Sequence, residues 1–294
     1  MTSDTFRGTG VALVTPFDDN NNVDYPSLKK LLEYIIDGGI NFIAMSGTTG
    51  EPATLTQDEK KSLRQFVVET VGGRVPIMYG IGGNNTAAVV DEIKNTDFSG
   101  IDAILSISPY YTKPNQRGIY EHFKAIDKAT PLPVVLYNVP GRTSRNIEPA
   151  TVMQIAADCK NVFAIKEASG NMSQIMSIIG SKPQDFAVFS GDDALTLPMY
   201  ALGACGAISV VANVAPKQFS QMVNLCAEGK FDQAAKIHFK LLGLMNALFE
   251  DGSPAGAKAA LSILGIMKEN LRLPLVPVCS SVRQKIESCL KCVL

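Results

Sequence analysis

The sequence predicts an α/β protein, a (β/α)8 barrel followed by a C-terminal helical domain. Three observations carry this expectation. From residue 8 to about 209, short apolar runs alternate with longer amphipathic ones, at roughly 25 to 30 residues per pair, the period of such a barrel. The short runs are apolar throughout instead of alternating, so both of their faces are buried, as parallel strands require. Beyond about residue 214 the strand signals stop and only helical periodicity remains. The expected division is therefore a TIM barrel over residues 1–228 and a helical domain over 229–294.

In chain order, the expected strands are Gly10–Thr15, Phe42–Met45, Pro76–Gly80, Ala103–Ser106, Val134–Tyr137, Val162–Ile165, Ala187–Phe189 and Ala207–Val210. Between the first two, Tyr25–Asp37 puts Leu28, Leu31, Leu32, Ile35 and Ile36 on one side and closes at Gly38-Gly39, a helix stop. Thr56-x-x-Glu59 reads as a capping box opening a helix that ends near Gly72-Gly73. Asn85–Asp97, Gly118–Lys128, Glu148–Ala157, Ser173–Gly180 and Ala194–Ala201 supply the remaining barrel helices, with Asp192-Asp193 read as a cap for the last. Lys217–Glu228, Phe231–Glu250, Pro254–Lys268 and Val282–Cys292 are the helices of the tail, which is read as an assembly element. A doubly wound sheet is the runner-up. It usually carries a Gly-rich turn after its first strand, whereas Gly8-Thr9-Gly10 precedes one and Gly80-Ile81-Gly82-Gly83-Asn84-Asn85 lacks the third glycine.

Composition narrows the function. The 27 basic and 28 acidic residues leave a formal charge of −1, which disfavours nucleic acid as the main partner. No run of about 18 apolar residues offers a transmembrane helix, and the early acid Asp4, with no apolar stretch beside it, gives no secretory signal. The six cysteines sit mostly among apolar neighbours, as reduced core thiols do, so a cytoplasmic protein is expected. Cys289-x-x-Cys292 has zinc-like spacing but no second pair, and with only His122 and His238 in the chain no metal is expected.

Barrel chemistry sits at the C-terminal ends of the strands. Lys166 is the lysine that closes an apolar strand, so its amine is expected in the barrel mouth, where desolvation favours the neutral, nucleophilic form. The bland alternative is a lysine that turns outward or pairs with Glu167. Tyr137 closes the neighbouring strand, placing a phenol within reach of that amine as a proton relay. Thr48 and Thr49 follow the second strand in a glycine-flanked turn whose hydroxyls and N–H groups suit a small carboxylate. Arg142, in a Pro-Gly-Arg-Thr turn, suits a second carboxylate through paired hydrogen bonds.

Gly47-Thr48-Thr49-Gly50-Glu51, Pro109-Tyr110-Tyr111, Tyr137-Asn138-Val139-Pro140-Gly141-Arg142-Thr143, Ile165-Lys166-Glu167-Ala168-Ser169-Gly170 and Gly206-Ala207-Ile208-Ser209 resemble, in order and spacing, the dihydrodipicolinate synthase family of pyruvate-dependent Schiff-base aldolases. The resemblance implies condensation of pyruvate with L-aspartate 4-semialdehyde in the diaminopimelate branch of lysine synthesis. It implies Lys166 as the imine-forming nucleophile and Tyr137 as a relay, linked through Thr48 to a Tyr111 donated by a second subunit. Thr49, Gly191 and the main chain at Ile208 are then the pyruvate side of the site, and Arg142 holds the semialdehyde carboxylate. No cofactor is implied, since the imine is the electron sink, and the implied assembly is a homotetramer built as a dimer of dimers. Lyases acting on N-acetylneuraminate or on 2-keto-3-deoxy sugar acids share most of these motifs, but the neuraminate lyases lack the arginine after the tyrosine. A non-catalytic binding barrel is the alternative of another class. Lysine-inhibited members carry two histidines and a glutamate where this chain has Gln57, Lys60 and Ala88, so weak or absent feedback by L-lysine is expected.

Overall fold

The computed structural model describes residues 3–294. Eight parallel strands close into a barrel in sequential order. They are β1 (Gly8–Ala12), β2 (Phe42–Met45), β3 (Ile77–Gly80), β4 (Ala103–Ile107), β5 (Val134–Asn138), β6 (Val162–Glu167), β7 (Ala187–Ser190) and β8 (Gly206–Ser209). The helices that return the chain between them are α1 (Tyr25–Asp37), α2 (Gln57–Val71), α3 (Thr86–Asn95), α4 (Gln116–Ala129), the single turn α5 (Pro140–Thr143), α6 (Pro149–Asp158), α7 (Met172–Ser181) and α8 (Thr196–Ala201). After β8 come α9 (Pro216–Ala227), α10 (Phe231–Ala247), α11 (Ala255–Ile263) and α12 (Ser280–Val293).

Local chemistry explains several boundaries. Asp24 caps α1, and its side chain accepts the N–H of Ser27. Both halves of the capping box form at α2, where Thr56 accepts from the Glu59 N–H and Glu59 accepts from the Thr56 N–H. The helix then stops at Gly72 in the left-handed region, φ 57°.

Most boundaries shift from the sequence expectation by one to three residues, and three departures have a clear physical cause. The first strand begins at Gly8, two residues earlier than expected, because Gly10 lies inside the strand and makes room for a core ring. A Cβ there would fall 2.1 Å from the Phe42 side chain. The helix expected over Pro254–Lys268 ends at Ile263, where Gly265 turns left-handed at φ 68° and the Ile266 N–H closes back on the Leu261 carbonyl at 2.9 Å. Asp192-Asp193 does not cap α8, which starts at Thr196 with Leu195 as its N-cap. Asp193 instead turns inward, and its Oδ2 accepts the N–H groups of Val210 and Val211 at 3.2 and 2.8 Å just past β8. The two buried N–H donors need an acceptor, whereas the approach to α8 is already served by Asp192, whose Oδ1 accepts the Ala194 N–H at 3.0 Å and whose carbonyl accepts the Leu195 N–H at 3.2 Å.

The core is continuous. Phe42 of β2 meets both Phe6 and Phe189 of β7, with ring centroids 5.4 and 5.8 Å apart. Strands 2 and 7 are not neighbours, so these rings meet across the barrel interior and fill its lower half with side chains. The open end is therefore the C-terminal one.

Candidate active site

Tyr137 and Lys166 are register partners on β5 and β6. The same rung runs to Ile107 on β4 and to Phe189 on β7. Phe189 reaches Phe42 through the interior, so the side chains of this rung point inward. Lys166 and Tyr137 are 5% and 6% exposed. The Lys166 Nζ lies over the Tyr137 ring, 4.3 Å from its centroid. The amine thus comes to the face of the ring and not to the phenol oxygen, because direct opposition on one rung sets the two stems side by side.

Glu167 does not pair with Lys166. Successive strand residues face opposite ways, and Glu167 points out of the barrel into the helical layer. Its fully buried carboxylate accepts from Asn138 Nδ2 at 3.2 and 3.0 Å, from the Ser169 N–H at 2.7 Å and from Gln174 Nε2 at 3.0 Å. Asn138 is the residue after Tyr137, and its Oδ1 accepts the Ile147 N–H at 3.0 Å. The rung beyond Tyr137–Lys166 is therefore locked from outside by a closed set of neutral donors around one carboxylate.

Two glycine-dependent segments complete the surroundings of the lysine. A Cβ on Gly191 would stand 3.0 Å from Lys166 Cε and 3.1 Å from its Cγ, so only glycine lets the loop after β7 lie on the lysine stem. The structure thus places Gly191 against the nucleophile candidate itself. The turn after β2 holds Thr48–Gly50 in one 3-10 turn, closed by the Gly50 N–H on the Gly47 carbonyl at 2.9 Å and by Thr15 Oγ1 on the Gly50 carbonyl at 2.8 Å. Thr49 is buried and Thr48 half-buried. Ile208, on β8, is buried beside Gly10 of β1.

Asp193 is the nearby acid with a shifted pKa. Burial pushes it up to about 6, opposed by hydrogen bonds from Ser209 and the Val211 N–H, and Lys166 is among the charges that act on it.

A cavity of about 400 Å³ opens over these strand ends. Thr48, Tyr110, Tyr137 and Arg142 line it together with Ser253 and Pro254 from the segment before α11. Arg142 lies on α5, is exposed, and donates from Nη2 to the Ser253 carbonyl at 3.4 Å. No hydrogen bond joins Thr48 to Tyr137 within the chain, though both face the cavity. Tyr111 stands apart from the others, 85% exposed on a left-handed backbone, φ 67°.

Sequence reasoning missed the wall contributed by the tail, which also brings Pro274 and Leu275 to the cavity. It also missed the fully buried ion pair between Glu51 and Lys258 of α11. One signal was available: Lys258 is the sole charge in Ala255–Leu261, a stretch buried at every residue.

A lysine held out of water at the end of a barrel strand, against a phenol and beside a cavity with hydroxyl and guanidinium groups, fits a class I aldolase-type lyase. The sequence matches the Dihydrodipicolinate synthetase family over residues 5–293, and the chain belongs to that family. It is 49% identical to the 4-hydroxy-tetrahydrodipicolinate synthase of Flavobacterium psychrophilum over 282 residues, covering 96% of each chain. It is 44% identical to the enzyme of that name from Bacillus subtilis, covering 96% of this chain and 98% of the other. The crystal structure of dihydrodipicolinate synthase from Thermotoga maritima superposes with a TM-score of 0.95 at 40% identity over 98% of both chains. A monomeric dihydrodipicolinate synthase variant gives 0.96 at 40% identity, over 99% of this chain and 97% of that one.

Proposed function

We propose that this chain joins pyruvate to L-aspartate 4-semialdehyde to give 4-hydroxy-tetrahydrodipicolinate, in the diaminopimelate route to lysine, with Lys166 as nucleophile. The observation that carries the reading is the buried Lys166 amine on the inward rung, 4.3 Å from the centroid of the Tyr137 ring. The amine adds to the keto carbon of pyruvate, and loss of water from the carbinolamine leaves a cationic imine. That cation draws electrons from the methyl group, which loses a proton to become an enamine carbon nucleophile. The enamine attacks the aldehyde carbon, whose oxygen takes a proton to become the 4-hydroxyl. The amine of the semialdehyde then adds to the imine carbon and expels Lys166 as the ring closes, so the amine returns unchanged.

Tyr137 carries protons to and from the carbinolamine oxygen, and Thr48 orients it. Thr49, the backbone at Ile208 and the Gly191 loop surround the pyruvate carboxylate. Arg142 takes the semialdehyde carboxylate, its guanidinium steadied by the Ser253 carbonyl. Tyr111 completes the relay of a second copy, which suits a side chain so largely exposed in the single chain. A dimer is then the smallest complete unit, and a homotetramer made of two such dimers is the assembly we assign. The six unpaired thiols suit the reducing cytoplasm.

Borohydride reduction in the presence of pyruvate tests the reading. It should inactivate the protein and leave one pyruvate-derived adduct on the peptide holding Lys166, while Lys166→Ala leaves none. An adduct on another lysine, or no adduct, overturns the mechanism.

A further inference from the structure

We propose that the ion pair between Glu51 and Lys258 is a positioning device for the Thr48–Thr49 turn, which makes helix α11 of the C-terminal segment part of the pyruvate pocket. The inference rests on the reading of Thr48 and Thr49 given above. Glu51 is the last residue of the turn, and its backbone is left-handed at φ 54°, a conformation that glycine adopts freely and glutamate does not. Its N–H donates to the Thr48 carbonyl at 3.2 Å, and its own carbonyl accepts the N–H and the hydroxyl of Thr54 at 3.0 Å each. The backbone on both sides of Glu51 is thus tied to the conformation of this one residue. Glu51 lines the same cavity as Thr48, Tyr137 and Arg142.

What holds the residue there comes from the other end of the sequence. Glu51 and Lys258 side chains are both fully buried. The Lys258 ammonium also donates to the Asn270 carbonyl at 2.9 Å and lies over the Phe17 ring, 4.1 Å from its centroid. Burial lowers the Lys258 pKa to about 8 even though Glu51 acts to raise it. A fully desolvated pair is a poor source of net stability, since an apolar replacement is often as stable, and its attested use is to fix one geometry among several. Arg272, next to that lysine in the fold, repeats the arrangement. Its guanidinium holds Glu59 at 2.9 and 2.5 Å and the Thr54 carbonyl at 2.8 Å, so the segment after the turn is gripped from the same side. Helix α11 itself cannot shift easily. A Cβ on Gly256 would stand 2.3 Å from the Leu248 carbonyl oxygen, so the helix is seated directly on the end of α10. The same segment supplies the Ser253 carbonyl that Arg142 contacts. One buried helix therefore sets the donor turn and its preceding segment sets the acceptor arginine.

The test compares the pyruvate dependence of borohydride trapping and of turnover in the wild type, Lys258→Met, the double variant Glu51→Gln/Lys258→Met, and Ile286→Ala. The last shortens a core side chain on α12 that is far from the turn in sequence and serves as a control for destabilisation. We expect Lys258→Met and the double variant to need ~tenfold to ~hundredfold more pyruvate for half-trapping, since displacing a binding group by about 1 Å costs on that order. The double variant buries no unpaired charge and should melt close to the wild type, whereas Ile286→Ala should melt lower with an unchanged pyruvate dependence. If the wild type is trapped on Lys166 but the double variant shows wild-type pyruvate dependence, the pair is structural and the inference is overturned. If the wild type is not trapped at all, it is the underlying functional reading that fails.

Discussion

Arg142 donates from Nη2 to the carbonyl oxygen of Ser253, 111 residues further along the chain, at 3.4 Å across the mouth of the cavity. The contact is long for a hydrogen bond and the guanidinium is exposed, so the remaining N–H groups are free to meet a carboxylate. Arg142 is thus aimed by the tail of the chain, while its backbone belongs to the single turn after β5.

Arg142→Ala should weaken use of the semialdehyde much more than imine formation with pyruvate. A charge-assisted contact of this kind is worth about 1.5–3 kcal/mol, so at least a ~tenfold loss in kcat/KM for the acceptor is expected. Separate saturation curves for the two substrates measure it. Equal losses for both would mean that Arg142 organises the whole mouth instead of reading the acceptor.

Tyr111 should act in trans. Lys166→Ala and Tyr111→Phe are each expected to be nearly inactive, but subunits mixed after dissociation should recover activity. A hybrid dimer pairs an intact Lys166 in one copy with an intact Tyr111 from the other, and random mixing restores about a quarter of the sites. Recovery on that scale supports donation between copies. No recovery, with hybrids demonstrated by mass, places Tyr111 in its own chain's site.

Feedback by L-lysine should be weak or absent. Gln57 and Ala88 are exposed on α2 and α3 and carry no charge, while Lys60 lines the cavity. A cationic ligand there meets a like charge and lacks the expected anion, each costing on the order of 1 kcal/mol or more, so at least a ~tenfold loss of affinity is expected. Initial rates against L-lysine at subsaturating pyruvate decide it. Half-inhibition at submillimolar lysine would refute the claim and point to Glu92, which lines the cavity one helical turn beyond Ala88, as the anion.

His122 should make stability fall in mild acid. It is buried on α4, with Nδ1 2.9 Å from the Thr86 hydroxyl, and burial holds its pKa down at about 4 against an ordinary 6.5. Between those values the unfolded chain binds a proton that the folded one refuses. The stabilisation is therefore complete above pH 6.5 and lost as pH drops toward 4, by about 3 kcal/mol in all. Urea midpoints across this range should fall less steeply for His122→Gln than for the wild type. Parallel curves would show that the ring is not protonated on unfolding.

Much of the fold was legible because local rules and the barrel agreed. The start and stop of α1, the capping box and left-handed Gly72 of α2, and the apolar runs of the strands all carry their own chemistry within a few residues. The early end of α11 is local, at left-handed Gly265, but the other two failures share one cause. Gly10 reads locally as the start of a strand but lies inside one that begins at Gly8, where it yields space to Phe42. Asp193 reads locally as a helix cap but is drawn to two buried N–H groups just past the neighbouring strand. In each case a partner distant in sequence outweighed the local preference.

The sequence by itself determined the barrel, the strand that ends in Lys166, the neighbouring strand that ends in Tyr137, and the turns that carry Thr48, Thr49 and Arg142. Period, burial pattern and strand order are properties of contiguous segments, so they can be read along the chain. Only the tertiary structure decided that the Lys166 amine rests on the face of the Tyr137 ring while Glu167 turns away to Asn138, since strand register fixes both. It alone decided that the tail walls the cavity and reaches Glu51 through Lys258 and Arg142 through Ser253. Pairings between segments 111 and more residues apart leave no periodic trace, because they depend on where the closed barrel brings its loops and not on what stands beside each residue in the chain.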